Sequence, residues 1–333
     1  MSTIIHAEPP TFQEVVKEQV WKDAMAKEYE SIMKNDVWVV VPRPKGNSIV
    51  TLKWLYKNKH GVDGRIEKYK ERFVARGFSQ KEGEYYDEIF GHVAQYTTIR
   101  SIVALAPSQG WTLHQMDVKI SFLHGILQGE VYVEQPKGFE VKGKKNQVWR
   151  LKKALYGLKQ APRAWYVRID SHLVKLQFTR NNVDSNLYFK VVQRMPLILV
   201  LYVDDLFLTS SEPLMLKCKR DLTSKFEMKD IALMHCFLGL EVWQRLGEIF
   251  HSQGKYIPKL LERFGIVECK SLATPMEMNF KKLCGDVVGP DLANPSEYRQ
   301  LIGALMFLLN TRSDICFAVN TLNQFMNEPL HSH

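Results

Sequence analysis

The chain has no uninterrupted apolar segment near twenty residues and no basic-then-apolar leader, so neither a membrane span nor a secretory signal is written in it. Cytosol or nucleus is the expected compartment. Cysteine is scarce. Cys218, Cys236, Cys269, Cys284 and Cys316 are odd in number, widely spread and without a CxxC pair, which argues against a disulfide framework and a zinc knuckle. No tandem repeat is evident. Acidic residues are in deficit, 36 against 45 Lys and Arg, for a net charge of +9 and a pI of about 9.1. That balance favours a polyanionic partner, although many basic proteins bind none. With 45% hydrophobic and 24% charged residues, composition excludes disorder, and 333 residues suffice for one large or two to three small domains.

What is present centres on residues 197–208, where Asp204 and Asp205 interrupt an otherwise continuous apolar run, LILVLYVDDLFL. Such a run reads as a buried strand or hairpin, and a bare carboxylate pair there is costly to desolvate. A divalent cation would compensate it, because hard oxygen ligands hold magnesium and adjacent negative charges repel without one. The plainer alternative is a tight turn with both side chains in water. A two-metal site for phosphoryl transfer needs a further carboxylate from a distant strand. Asp117, at the end of the strand-like LHQMDV, offers one. Together the two stretches have the form of the metal-binding core of a polymerase palm.

Residues 1–20 carry no strong pattern beyond Glu8-Pro9-Pro10 and read as a tail. Trp21, Met25, Tyr29 and Met33 at spacing four predict an amphipathic helix over 21–34, docked on a core. Short strands follow from Val37 to Phe78, with a hairpin around the turn Gly61-Val62-Asp63-Gly64. This hairpin carries Lys53, Lys57, Lys59, Arg65, Lys68, Lys70, Arg72 and Arg76. Alternation places Lys68, Lys70 and Arg72 on one face, opposite Tyr69 and Phe73, either as a triphosphate-binding row or as a solvated outer face. Further expectations are a turn beginning at Leu151 that leads into a helix from Pro162 to about Leu176, helices over 97–109, 212–227, 254–266 and 298–326, and a strand at FLGLEV (237–242).

In order along the chain, HQMDVK-x-x-FL-x-G, LYGLKQAPRAWY, LYVDD and FLGLEV resemble the reverse transcriptase of copia-type LTR retrotransposon Pol polyproteins, as do WKDAM, KWLYK, YKERFVARGFSQ-x-EG-x-YYDE-x-F and VA-x-x-TTIR upstream. The resemblance covers about residues 8–331. It implies an α+β right-hand polymerase with an antiparallel palm sheet: fingers 21–95 with part of 125–160, palm 96–124 and 161–250, and thumb or start of the connection 251–333. It implies RNA-directed DNA synthesis on an RNA or DNA template with a primer and dNTPs, with no membrane, in a cytoplasmic virus-like particle or the nucleus.

By the same resemblance Asp117, Asp204 and Asp205 hold two magnesium ions, manganese being an alternative. Lys68, Lys70 and Arg72 cover the incoming triphosphate. Phe122 packs beneath the sugar and selects deoxynucleotides, and is also readable as a core aromatic. Tyr156, Gly157 and Lys159 contact nucleotide or template, and Lys229 is a candidate general acid for the leaving pyrophosphate. FLGLEV corresponds to a primer-grip hairpin.

The chain departs from the family pattern at Gly91-His92, Ile120-Ser121, His124 and Arg312-Ser313-Asp314. Ile120 adds bulk three residues from a metal ligand, and overpacking costs about 1–3 kcal/mol. No ribonuclease H, integrase or protease pattern is present, so the expectation is a piece of a polyprotein or a truncated insertion. The competing reading is a catalytically inactive nucleic-acid-binding remnant of a decayed retrotransposon.

Overall fold

The computed structural model describes residues 12–60, 66–83, 95–144, 146–276 and 294–330. The Gly61–Gly64 turn, Arg65, Gly91-His92, Cys284 and Glu8-Pro9-Pro10 lie outside them. In chain order the elements are α1 (Phe12–Val15), α2 (Gln19–Lys34), β1 (Trp38–Pro42), β2 (Leu52–His60), β3 (Ile66–Ala75), α3 (Tyr96–Ser108) and β4 (Thr112–Val118). Next come β5 (Ile126–Val133), β6 (Gln147–Lys153), α4 (Ala161–Lys175), β7 (Thr179–Arg180), β8 (Leu187–Val192), β9 (Met195–Tyr202), β10 (Asp205–Ser210) and α5 (Glu212–Thr223). The remainder holds β11 (Met228–Leu233), β12 (Cys236–Phe237), β13 (Leu240–Arg245), β14 (Glu248–Ser252), α6 (Tyr256–Arg263), α7 (Pro295–Leu308) and α8 (Cys316–Asn323). The chain divides into two compact units, residues 1–95 with 115–231 and residues 96–114 with 232–333.

A six-stranded sheet in the order β11-β4-β10-β9-β8-β7 carries the Asp pair, and β7 through β10 pair antiparallel. Leu197, Leu199 and Leu201 of β9 and Leu206 and Leu208 of β10 share a core with Trp165, Ile169 and Leu173 of α4 and Met215, Cys218 and Leu222 of α5. On the opposite face Val200 and Phe207 are buried as well. Burial on both faces explains why this segment reads as a continuous apolar run rather than an alternating one.

A second core gathers Ile32, Trp38, Phe73, Ala75, Trp149, Leu151, Leu155 and Leu158. It joins the β1-β6-β5 sheet to the β2–β3 hairpin, with Trp38 and Trp149 stacked at 3.6 Å between ring centroids. In the hairpin Leu52 pairs with Ala75 and Trp54 with Phe73. Helix α2 packs on β3, and Trp21 meets Tyr56 and Tyr69 edge-on.

Three expectations are corrected within the first unit. Met33 is exposed and Ile32 is buried in its place. Spacing four overshoots the 3.6-residue turn at every step, so a stripe begun at Trp21 leaves the buried face by Met33. Val15, within the segment read as a tail, is fully buried against Trp21 and Met25. Leu151–Lys153, read as part of a turn, belong to β6, whose Val148, Trp149 and Leu151 are buried.

In the second unit FLGLEV is a hairpin, not one strand. Phe237 pairs with Leu240, and Leu238 (φ +50°) and Gly239 (φ +82°) make a two-residue turn whose left-handed residues match the strand twist. The helix expected over 298–326 breaks after Leu308, because side chains there satisfy local polar groups instead. Asn310 Nδ2 donates to the Phe307 carbonyl at 2.9 Å, and Arg312 grips Asp314 through two nitrogens at 2.8 and 2.6 Å. Among the described residues no helix is long and apolar enough to cross a membrane.

Candidate active site

The β9–β10 turn is two residues long. Tyr202 pairs with Asp205, so Val203 and Asp204 reverse the chain. Val203 has φ +50°, a left-handed conformation that costs a β-branched residue on the order of 1–3 kcal/mol. Neighbours hold it there. The Trp165 indole N–H donates to the Val203 carbonyl at 2.7 Å, and the Asp204 carbonyl accepts the Val118 N–H at 2.7 Å. The second bond ties the turn to the end of β4. On β4, Met116 and Val118 enter the core, so Gln115 and Asp117 share the other face.

Each carboxylate of the pair is oriented by a neighbour. The Gln115 side-chain N–H donates to Asp205 Oδ1 at 3.0 Å, and the Ser121 hydroxyl donates to Asp204 Oδ1. Burial raises the pKa of Asp204; the Ser121 hydroxyl and then Arg72 oppose the rise, Asp117 adds to it, and Lys70 opposes it. Asp205 is also raised by burial, opposed by Gln115 and reinforced by Asp117 and Asp204. Ile120, between Asp117 and Ser121, adopts φ +51°. Its departure from the family pattern is thus expressed in the backbone, where a β-branched residue takes a left-handed conformation. His124 packs edge-on against Phe226 and at a tilt against Trp165, and burial pushes its imidazole pKa down.

The hairpin supplies a cation. The Arg72 guanidinium lies 4.1 Å from the centroid of the Tyr156 ring, a cation–π contact, and Phe122 meets the same ring edge-on at 4.9 Å. Burial raises the pKa of the Tyr156 hydroxyl. The turn bearing Tyr156 is docked on the end of β3. The Ala75 N–H donates to the Tyr156 carbonyl at 2.7 Å, and Gln80 bridges Gln160 Oε1 (3.0 Å) and the Lys159 N–H (2.9 Å). Gly157 has φ +87°, and a Cβ there would fall 2.2 Å from the Ala75 carbonyl oxygen.

Of the residues expected at the site, Asp117, Asp204, Asp205, Lys70 and Arg72 influence one another electrostatically and Arg72, Tyr156 and Phe122 are in ring contact, although the three carboxylates are not drawn close enough to share one ion. Lys68 is exposed and acts on Glu71. Gly157 contributes close backbone packing, and Lys159 joins through its N–H. Lys229 stands exposed on β11, and no hydrogen bond or ion pair joins it to the carboxylates. Gln115 and Ser121 were not singled out as site residues from sequence.

Among the described residues, no three His, Cys, Asp or Glu side chains are gathered closely enough to hold one metal ion. The donor chemistry nevertheless fits magnesium. The donors are hard carboxylate oxygens, Asp117 raises the pKa of both members of the pair, and among the described residues Oδ2 of Asp204 and of Asp205 accepts no hydrogen bond.

Residues 35–278 match the family described as reverse transcriptase (RNA-dependent DNA polymerase). The chain is 37% identical to the retrovirus-related Pol polyprotein from transposon RE1 of Arabidopsis thaliana, covering 100% of this chain and 23% of that protein. It is 39% identical to the corresponding polyprotein from transposon TNT 1-94 of Nicotiana tabacum, over 98% and 26%. The chain thus spans about a quarter of the length of these relatives. A solved structure of apo telomerase from Candida tropicalis is similar at 12% identity and a TM-score of 0.36, over 93% of this chain and 62% of that one, too slight a likeness to transfer detail.

Proposed function

Because the chain belongs to the reverse transcriptase (RNA-dependent DNA polymerase) family, we propose that it is a copia-type RNA-directed DNA polymerase, extending a primer 3′-hydroxyl by nucleotidyl transfer. One observation carries this reading: the strand bearing Asp117 is tied to the turn bearing Asp204 and Asp205, with Arg72 laid over Tyr156 beside them. RNA or DNA template with primer, and dNTPs, are the proposed partners. The proposed setting is a cytoplasmic virus-like particle or the nucleus. Residues 21–95 with part of 125–160 are assigned to fingers, 96–124 and 161–250 to palm, and 251–333 to thumb or connection.

Asp117, Asp204 and Asp205 are the residues to hold two magnesium or manganese ions. The chemistry supplied by ions held there would be acidification of the primer 3′-hydroxyl and neutralisation of the leaving pyrophosphate. Ser121 and Gln115 fix the rotamers of Asp204 and Asp205, so the acceptor oxygens are set before substrate arrives. Arg72 and Lys70 present fixed positive charge to the triphosphate, with Lys68 further out on the same face. Phe122 and Tyr156, packed edge to face, form an apolar floor for the deoxyribose. Gly157 and Lys159 hold that floor to the hairpin, and Lys229 serves as proton donor to pyrophosphate only if β11 brings it inward.

The test is incorporation of dNTPs by the purified chain on a DNA-primed RNA template with magnesium. The ungathered carboxylates favour a second reading, a nucleic-acid-binding remnant without turnover. Tight template-primer binding with no incorporation selects it.

A further inference from the structure

Helix α2 reads from sequence as a helix merely docked on a core, yet it carries a carboxylate into the hairpin. Oε1 of Glu28 is buried and takes no hydrogen bond from the described residues, an expensive state for a carboxylate. The charged groups felt there come from β3: Arg72 and Lys70 oppose the effect of burial, and the Phe73 backbone N–H does the same. Glu71, also on β3 and only 8% exposed, adds a like charge. Its carboxyl is pushed up to about 7, by burial first and Glu28 second. Tyr156, under the Arg72 guanidinium, is within the field of Arg72, Asp204 and Glu28 together.

Arg72 is therefore shared. It stabilises the charged forms of both Glu28 and Asp204, yet closes an ion pair with neither. A flexible guanidinium near a buried carboxylate ordinarily collapses onto it as a bidentate pair. Here the cation stands over an aromatic ring, within the electrostatic reach of Glu28 on α2 as well as of Asp204.

We propose that Glu28 is a positioning residue, whose buried carboxylate holds the Arg72 guanidinium on Tyr156 and off Asp204, so that the cation meets an incoming triphosphate instead of neutralising the Asp pair. This rests on the polymerase reading for its purpose, but the electrostatic arrangement is testable without it.

Two measurements on the full chain decide it. The first is a carboxyl-carbon NMR titration of Glu28 in the wild type and in Arg72→Ala. Loss of a facing cation raises the Glu28 midpoint in the variant; an unchanged midpoint overturns the proposal. The second is single-nucleotide incorporation by Glu28→Gln, Arg72→Ala and the double variant. Glu28→Gln is expected to raise KM for dNTP on the order of tenfold while kcat changes much less, and to add little in the Arg72→Ala background. Fully additive effects overturn it. If Glu28→Gln fails to fold, the titration of Arg72→Ala decides alone. A wild type that incorporates nothing, with the NMR shift intact, sinks the polymerase reading and leaves the positioning role standing.

Discussion

Gln115 reaches across from β4 to hold Asp205, its side-chain N–H donating to Oδ1 at 3.0 Å from the strand face that also carries Asp117. A hydrogen bond to a charged group contributes about 1.5–3 kcal/mol. Gln115→Leu keeps the volume roughly and removes the bond, so Asp205 is free to rotate. We expect manganese affinity, measured by electron paramagnetic resonance, to weaken on the order of tenfold with the fold intact. Unaltered affinity means that Asp205 is oriented by something else.

Val203 stands in a left-handed conformation at the tip of the Asp-bearing turn. Its contact with Trp165 is made by the backbone carbonyl and does not depend on the side chain. Val203→Asn, a residue that tolerates this conformation, is expected to raise stability by about 1 kcal/mol in urea unfolding. A destabilised variant indicates that the valine side chain packs more than it strains.

Gly157 and Gly46 share nearly the same backbone angle, φ +87° and +85°, but only Gly157 has neighbours where a Cβ would stand. Alanine at Gly46 incurs the left-handed penalty alone, about 1 kcal/mol. Alanine at Gly157 also collides with the Ala75 backbone and is expected to cost roughly 2–3 kcal/mol more. Equal losses in the unfolding midpoint refute the docking of the Tyr156 turn on β3.

Glu71 makes stability depend on pH in a stated direction. The unfolded chain releases this proton near the ordinary glutamate pKa of 4.5, whereas the folded chain keeps it to about 7. The folded state therefore binds the proton more tightly, and its stabilisation, complete below pH 4.5, is lost as pH rises to about 7. Glu71→Gln removes the loss. The variant is expected to be more stable than wild type at pH 8, on the order of 1–3 kcal/mol, and equal to it near pH 4. A gain that persists unchanged at pH 4 contradicts this origin.

Legibility followed chemistry that leaves a local mark. Asp204 and Asp205 stood out because carboxylates interrupt an apolar run, and alternation along β3 set Lys68, Lys70 and Arg72 apart from Tyr69 and Phe73, of which Phe73 is buried. Gln115 and Ser121 left no mark, since an amide or hydroxyl that orients an acid from another strand has neither periodicity nor spacing. Glu28 was hidden by its helix, where a carboxylate between Met25 and Tyr29 reads as a surface residue until β3 is laid against it. The β6 strand was obscured by Arg150, Lys152 and Lys153, whose charge outweighed the buried Val148, Trp149 and Leu151. The break after Leu308 and the turn at Leu238-Gly239 depend on single side-chain and backbone choices that an apolar pattern averages away.

The most direct measurement compares wild type with Asp204→Asn in magnesium-dependent primer extension on a DNA-primed RNA template, with template-primer affinity measured in parallel. The account predicts extension by the wild type, none by the variant, and similar affinities for both. Extension that survives in Asp204→Asn contradicts the assignment of the carboxylates as the metal-holding centre.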